Sequence, residues 1–252
     1  MDAVTPLFIF GMGRSGTTNA QRAVNAHPLV AMNGEISLSV LKQFLTLLDA
    51  ADRAQGDTRE AWLERKADYM FESFGFLSKG GRGKLHRRAD ARYMGHKTPR
   101  LESLFDEYET HFASAGLKPR YFYCARNPFD CWRSYKAMDW NRYEEVRGFL
   151  AHYVKSFERL DEIIARAPGR VGVLNLDELI ARGDPAAFYR EKLFEPLGLD
   201  MPERVVQRIE KLSADRSSAP RPAALDADDR RAIEDYPGIA EIHARMFAPF
   251  RR

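Results

Sequence analysis

The chain has 252 residues, of which 44% are hydrophobic and 30% are charged, and this balance predicts a single globular domain over residues 1–252. The formal net charge of +3 suits a small anionic ligand better than nucleic acid, which usually requires a dense basic face. The sequence contains no apolar run of membrane-spanning length and no recognisable signal peptide, so we expect a cytoplasmic protein. Its two cysteines, Cys124 and Cys131, are predicted to be buried thiols rather than a disulfide.

Predicted strands and helices alternate along the chain. Short apolar runs bounded by turn residues predict strands over residues 7–12, 29–32, 93–96, 120–125 and 171–176. Apolar residues at helical spacing predict helices over residues 17–26, 37–50, 59–76 and 101–113, a helix that begins at Pro128, and a long helix that includes residues 149–164. This alternation predicts an α/β fold with three layers, in which helices flank a central parallel sheet.

Two segments are predicted to be irregular. Residues 79–88 are rich in glycine and basic residues, which predicts either a solvated loop or a lid that attracts an anion. Residues 213–223 are rich in serine, proline and arginine, which also predicts a loop.

A glycine-rich turn follows the first predicted strand. Gly11, Gly16 and Thr18 match the phosphate-binding pattern G-x-x-x-x-G-K-[ST], but Thr17 stands at the lysine position and Arg14 lies inside the loop. The backbone of Gly13, Arg14, Ser15, Gly16, Thr17 and Thr18 is therefore predicted to bind a phosphate-like group at a helix N-terminus. The loop lacks the lysine that reaches the outer phosphates of ATP or GTP. An ordinary strand–turn–helix corner is the alternative interpretation.

Further charged side chains lie at the ends of later strands. Arg126 ends one strand and Ser134 lies in the next helix, an arrangement suited to a second phosphate, although an arginine paired with Asp130 or Asp139 for structural reasons is the alternative. Glu35 follows the second strand and Lys97 follows the third. They are candidates for a general base and for a charge that neutralises a leaving oxygen, or they are merely surface charges.

These motifs together resemble sulfotransferases that use 3′-phosphoadenosine 5′-phosphosulfate (PAPS). The resemblance covers most of residues 7–200. In that family the first loop holds the 5′-phosphosulfate. A strand-end arginine and a serine eight residues later hold the 3′-phosphate, and Arg126 and Ser134 have this spacing. The resemblance therefore implies PAPS as cosubstrate, its desulfated product PAP, no metal, and a small-molecule or peptide acceptor.

Residues 14–35 are especially similar to the tyrosylprotein-sulfotransferase-like branch. The branch implies that Glu35 is the base and that Lys97 of a K-x-P segment contacts the sulfuryl group. We also expect Arg14 to be a catalytic residue that cradles the phosphosulfate together with the loop backbone. Cytosolic sulfotransferases instead use a histidine base, which makes His96 a rival. The glycine-rich C-terminal loop that binds the 3′-phosphate in cytosolic enzymes is missing, and Arg216 and Ser217 are the candidates to replace it.

Two other functions remain open from the residues alone. A P-loop kinase acting on a nucleoside or small molecule would use the same loop, although the missing lysine counts against it. A non-catalytic nucleotide-binding module would leave Glu35 and Lys97 without a role.

Overall fold

A parallel sheet forms the centre of the computed structural model, which describes residues 4–78, 90–139, 143–217 and 224–247. Its order is β2-β3-β1-β4-β5, and all of the neighbouring strands are parallel. The strands are β1 (Thr5–Phe10), β2 (Val30–Asn33), β3 (Tyr93–Lys97), β4 (Arg120–Ala125) and β5 (Val171–Asn175). The predicted α/β class and parallel sheet are confirmed.

Helices connect the strands and cover both faces of the sheet. They are α1 (Thr17–Val24), α2 (Leu38–Ala54), α3 (Arg59–Leu77), α4 (Phe105–Ser114), α5 (Pro128–Lys136), α6 (Val146–Arg166), α7 (Leu176–Arg182), α8 (Pro185–Tyr189), α9 (Glu203–Ser217), α10 (Ala227–Glu234) and α11 (Ile239–Met246). Short 3-10 segments cover Gly56–Thr58, Leu101–Leu104 and Glu195–Leu197, and a π-helical segment covers Arg190–Phe194.

Two hydrophobic cores separate the three layers. Side chains of a strand alternate between faces, so Phe8 and Phe10 of β1 enter one core while Leu7 and Ile9 enter the other. The first core packs against α2 to α6, α10 and α11, and the second packs against α1 and α7 to α9. Since β1 is buried on both sides, its nearly continuous apolar sequence is typical of a central parallel strand.

The predicted boundaries differ from the structure in several places. The first strand ends at Phe10 rather than at residue 12, because Gly11 turns out of the sheet with a φ of +126°. The helix predicted from residue 101 begins with a 3-10 turn and becomes α-helical at Phe105. The loop predicted from residue 213 was wrong at its start, because α9 continues to Ser217. Within the segment 213–223 the first proline is Pro220, and a proline disfavours helix only in the residue directly before it.

Both cysteines are buried and free, as predicted. Within the described ranges, no helix combines the length and apolarity needed to cross a bilayer.

His96 lies in the first core, where it is fully buried. Its ring contacts Phe8 and Phe74 with centroid distances of 5.2 and 4.7 Å. Its Nδ1 is 3.0 Å from the Thr98 hydroxyl and its Nε2 is 2.7 Å from the Tyr108 hydroxyl. Burial, with a smaller contribution from the charge of Lys97, lowers the pKa of His96 from 6.5 to about 3. The imidazole is therefore neutral in the folded protein.

This environment predicts that His96 makes folding pH-dependent. Below pH 6.5 the unfolded chain binds a proton at His96 that the folded chain does not bind, so stability falls on acidification. Between pH 6 and pH 5 the loss from this group is about 1 kcal/mol. We expect His96→Gln to reduce the pH slope of the unfolding free energy, measured by urea denaturation, by that amount. His152→Gln, which changes an exposed histidine on α6, is the matched control and should retain the wild-type slope. A His96→Gln slope equal to that of the wild type would contradict the prediction.

Candidate active site

The loop between β1 and α1 packs tightly against its neighbours. A Cβ at Gly11 would lie 2.4 Å from the Cys124 carbonyl oxygen, and one at Gly13 would lie 2.0 Å from the Tyr135 hydroxyl oxygen. Gly16 caps α1 in the left-handed region with a φ of +98°. Arg14 also has a positive φ, of +67°, which is uncommon for a residue with a side chain and occurs most often at functional sites. The loop therefore needs its glycines for close packing and for backbone geometry.

Helix α1 begins without the cap that most helices have. Gly16 offers no side-chain acceptor, and the first turn contains no acidic residue. The first N–H groups of a helix carry a partial positive charge and readily donate hydrogen bonds to a bound anion. The side chains after Arg14 differ in exposure. The Ser15 hydroxyl donates to the Met12 carbonyl at 2.6 Å, and Thr17 is buried. Thr18 is exposed.

The two arginine motifs meet, although they are more than 100 residues apart in sequence. Arg14 Nε donates to Ser134 Oγ at 2.9 Å, and Arg126 Nη1 donates to the Arg14 carbonyl at 3.2 Å. Arg126 Nε is buried, and no described residue accepts a hydrogen bond from it. Buried guanidinium N–H groups are normally paired, so this one is well suited to an anion.

The alternative role for Arg126, a structural ion pair with Asp130 or Asp139, is not observed among the described residues. Asp130 accepts a hydrogen bond from the Asn127 side chain and pairs with Arg133. Among the described residues, neither Asp130 nor Asp139 forms an ion pair with Arg126. Neither of these carboxylates therefore neutralises its guanidinium.

Glu35 and Lys97 form an ion pair at the same edge of the sheet. Lys97 Nζ lies 3.1 Å from Glu35 Oε2, with the lysine nearly buried and the glutamate half-buried. Thr98 joins the two segments, because its Oγ1 accepts from the Ile36 N–H at 3.2 Å and lies 3.3 Å from the Ile36 carbonyl. The sequence could not show that Glu35 and Lys97 meet. The neighbouring strands β2 and β3 bring them together.

His96 lies on the other side of the strand from Lys97, as successive strand residues do. Both of its ring nitrogens are bonded within the core. This burial favours Glu35 over His96 as a group that an acceptor could reach.

Three of the sequence-based candidates fall outside what the structure describes. The side chains of Arg216 and Ser217 lie outside the described residues, as does the whole basic segment 79–88. The backbone of Arg216 and Ser217 belongs to α9.

The sequence did not single out Tyr135 and Asp177, which contact segments of the candidate site. The Tyr135 hydroxyl packs against Gly13, and Asp177 accepts hydrogen bonds from the backbone and side chain of Asn127. Tyr135 directly follows the predicted Ser134, and Asp177 follows β5 at the edge where ligands of α/β sheets bind. Its place directly after a predicted strand is the feature of the sequence that could have indicated Asp177.

A model described as "Sulfotransferase family" matches residues 6–203, while no curated protein sequence matches significantly. Sulfotransferase STF9 from Mycobacterium avium is similar in structure, with a TM-score of 0.56 and 17% identity over 99% of this chain and 78% of that one. The sulfotransferase domain of the Synechococcus PCC 7002 olefin synthase gives 0.55 and 17% over 97% of both chains. A sulfotransferase from Alicyclobacillus acidocaldarius gives 0.53 and 15% over 99% and 97%.

At these identities the three structures show a shared fold. The family model covers most of the chain, including both arginine motifs and the Glu35–Lys97 pair. The chain belongs to the sulfotransferase family.

Proposed function

We propose that this protein transfers a sulfuryl group from PAPS to a hydroxyl or amine of a small-molecule or peptide acceptor, with Glu35 as general base. The observation that carries the proposal is the presence of two arrangements at one sheet edge. One is the junction of Arg14, Arg126 and Ser134, and the other is the Glu35–Lys97 pair. The first suits an anionic donor, and the second suits proton removal next to a positive charge.

The residues present fit the phosphosulfate end of PAPS. The loop from Gly13 to Thr18 leads into the uncapped N-terminus of α1, where Arg14 adds a full positive charge. Gly13 and Gly16 let the loop pack closely against Tyr135 and Leu176. The residues of this loop would hold the 5′-phosphosulfate.

Arg126 and Ser134 would hold the 3′-phosphate. The unpartnered Nε of Arg126 supplies one donor. Ser134 Oγ accepts its hydrogen bond from Arg14, so its own proton is left to donate to a phosphate oxygen. Charge-assisted hydrogen bonds of this kind are among the stronger polar contacts.

In the reaction, Glu35 takes the proton of the acceptor hydroxyl or amine. The acceptor atom forms a bond to sulfur while the bond between sulfur and the phosphate oxygen breaks, and PAP leaves. Lys97 neutralises negative charge on the transferred group and on the leaving oxygen. Because Lys97 contacts Glu35 directly, the proton acceptor and this positive charge lie within one hydrogen bond of each other.

Phosphoryl transfer from ATP is less well supported. The family assignment favours sulfuryl transfer, and Thr17 stands where a P-loop kinase has its lysine. A sulfuryl group carries less charge than a γ-phosphoryl group, so we expect the chemistry to proceed without Mg²⁺.

The role of Glu35 can be tested by Glu35→Gln, which keeps the shape of the side chain and removes its ability to accept a proton. Transfer of labelled sulfuryl from PAPS, measured with the best acceptor in a panel of simple phenols, alcohols and amines, should fall by roughly 10²–10⁴. Affinity for PAP should be unchanged. Glu64→Gln, which alters an exposed glutamate on α3, should transfer at the wild-type rate. Near-normal transfer by Glu35→Gln would rule Glu35 out as the base.

The choice of donor can be tested by calorimetry with PAP, 5′-AMP and MgATP. The wild type should bind PAP most tightly, because only PAP presents both the 5′- and the 3′-phosphate. Arg126→Ala should weaken PAP binding by roughly 10–100-fold, since a charge-assisted hydrogen bond contributes about 1.5–3 kcal/mol, and it should leave 5′-AMP nearly unaffected.

Arg120→Ala is the matched control for this experiment. Arg120 begins the strand that Arg126 follows, and it bonds the Gly169 carbonyl at the opposite edge of the sheet. The Arg120→Ala variant should bind PAP and 5′-AMP like the wild type. Equal losses for PAP and 5′-AMP in Arg126→Ala would mean that Arg126 supports the fold rather than the 3′-phosphate. Preferential binding of MgATP by the wild type would favour the kinase.

A further inference from the structure

The peptide group between Arg126 and Asn127 is held from both sides. Its carbonyl oxygen accepts a hydrogen bond from the Tyr153 hydroxyl at 2.8 Å, and the thiol of Cys131 lies 3.8 Å from the same oxygen. Its N–H donates to Asp177 Oδ2 at 2.7 Å. Both polar atoms of one peptide plane are therefore bonded to side chains from other parts of the fold.

These two partners sit on well-anchored elements. Tyr153 is fully buried in the long helix α6. Asp177 lies in the first turn of α7, where its own N–H donates to the capping Asn175 side chain at 2.9 Å. Asp177 Oδ1 also accepts from the Asn127 side chain, so its two carboxylate oxygens both hold the same residue.

The position of this peptide makes the two contacts consequential. The ladder between β4 and β5 ends at the pair Ala125–Asn175, so strand pairing does not orient Arg126. The plane of the peptide sets ψ of Arg126 and φ of Asn127. The plane also contains the Cα of Arg126, so holding it fixes the point from which the Arg126 side chain reaches the Arg14 carbonyl.

The surroundings of Asp177 only partly favour its charge. Burial raises the pKa of its carboxyl above the usual value, although the two donors of Asn127 act in the opposite direction. A buried carboxylate with a raised pKa is disfavoured as a charge by its surroundings.

We propose that Tyr153 and Asp177 are positioning residues that orient Arg126 toward the 3′-phosphate by fixing the Arg126–Asn127 peptide. The inference rests on the proposed function of Arg126. Neither residue is placed in contact with the nucleotide. Tyr153 acts through the backbone alone, whereas the charge of Asp177 also reaches Arg126. The partners that orient metal ligands change metal affinity by about 10–100-fold when they are altered, and by analogy we expect an effect of about tenfold on PAP.

The test uses Tyr153→Phe and Asp177→Asn, each made in the wild type and in Arg126→Ala. Tyr153→Phe removes a single oxygen atom, and Asp177→Asn replaces one acceptor oxygen by a donor. Tyr153→Phe should weaken PAP binding about tenfold, measured by calorimetry, and leave 5′-AMP binding within twofold of the wild type. Asp177→Asn should show the same selectivity with a smaller loss, because it also removes a negative charge near Arg126. In the Arg126→Ala background neither change should weaken PAP further, because residues that act through one another are not additive.

Tyr123→Phe is the matched control. Tyr123 is also fully buried, and its hydroxyl also bonds to α6, at Ser156 Oγ with a distance of 2.9 Å, but it does not bond the Arg126 peptide. It should lower the melting temperature and leave PAP affinity unchanged. If Asp177→Asn does not fold, Tyr153→Phe alone decides the outcome.

Two results would overturn the inference while leaving the proposed function intact. The first is Tyr153→Phe and Asp177→Asn matching Tyr123→Phe, with lower melting temperatures and normal PAP affinity, while Arg126→Ala still loses PAP. The second is a full additional loss of PAP affinity in the Arg126→Ala background. A wild type that does not prefer PAP to 5′-AMP would overturn both the inference and the proposed function.

Discussion

The close packing of the first loop against helix α5 is the contact on which the candidate site depends. Gly13 approaches the Tyr135 hydroxyl so closely that a single additional carbon would clash with it. At this distance Arg14 Nε reaches Ser134 on the same helix. A side chain at position 13 would push the loop away from α5, and the junction of the two arginine motifs would separate.

Neighbouring residues of strand β3 lie on opposite faces of the sheet and have different surroundings. His96 and Lys97 are adjacent in β3, yet His96 belongs to the aromatic core while Lys97 pairs with Glu35. The cause is the two-residue period of a strand, which sends successive side chains to opposite faces. Thr98 then serves both sides, since its hydroxyl lies within hydrogen-bonding distance of His96 and of the backbone of Ile36. A single hydroxyl therefore connects the core histidine to the segment that carries Glu35.

The carboxyl edge of the sheet concentrates positive charge in a chain whose net charge is small. Arg14, Lys97 and Arg126 come from three different strand ends, whereas the overall formal charge is only +3. Parallel strands produce this concentration, because all of their carboxyl ends lie on one edge. An anionic cosubstrate would meet these charges together with the N-terminus of α1, which adds a partial positive charge of its own.

The sequence by itself determined the α/β class, the approximate position of each strand and the residues of both arginine motifs. These features are local: apolar runs, glycine spacing and a proline at a helix start all act within a few residues. The sequence could not determine that Glu35 meets Lys97, that His96 is a core residue, or that Asp177 and Tyr153 hold the Arg126 peptide. Those facts depend on strand order and on which face each side chain occupies, and both are decided by packing between segments far apart in the chain. The end of α9 was also misjudged, because helix formation continued through Ser217, which composition alone had placed in a loop.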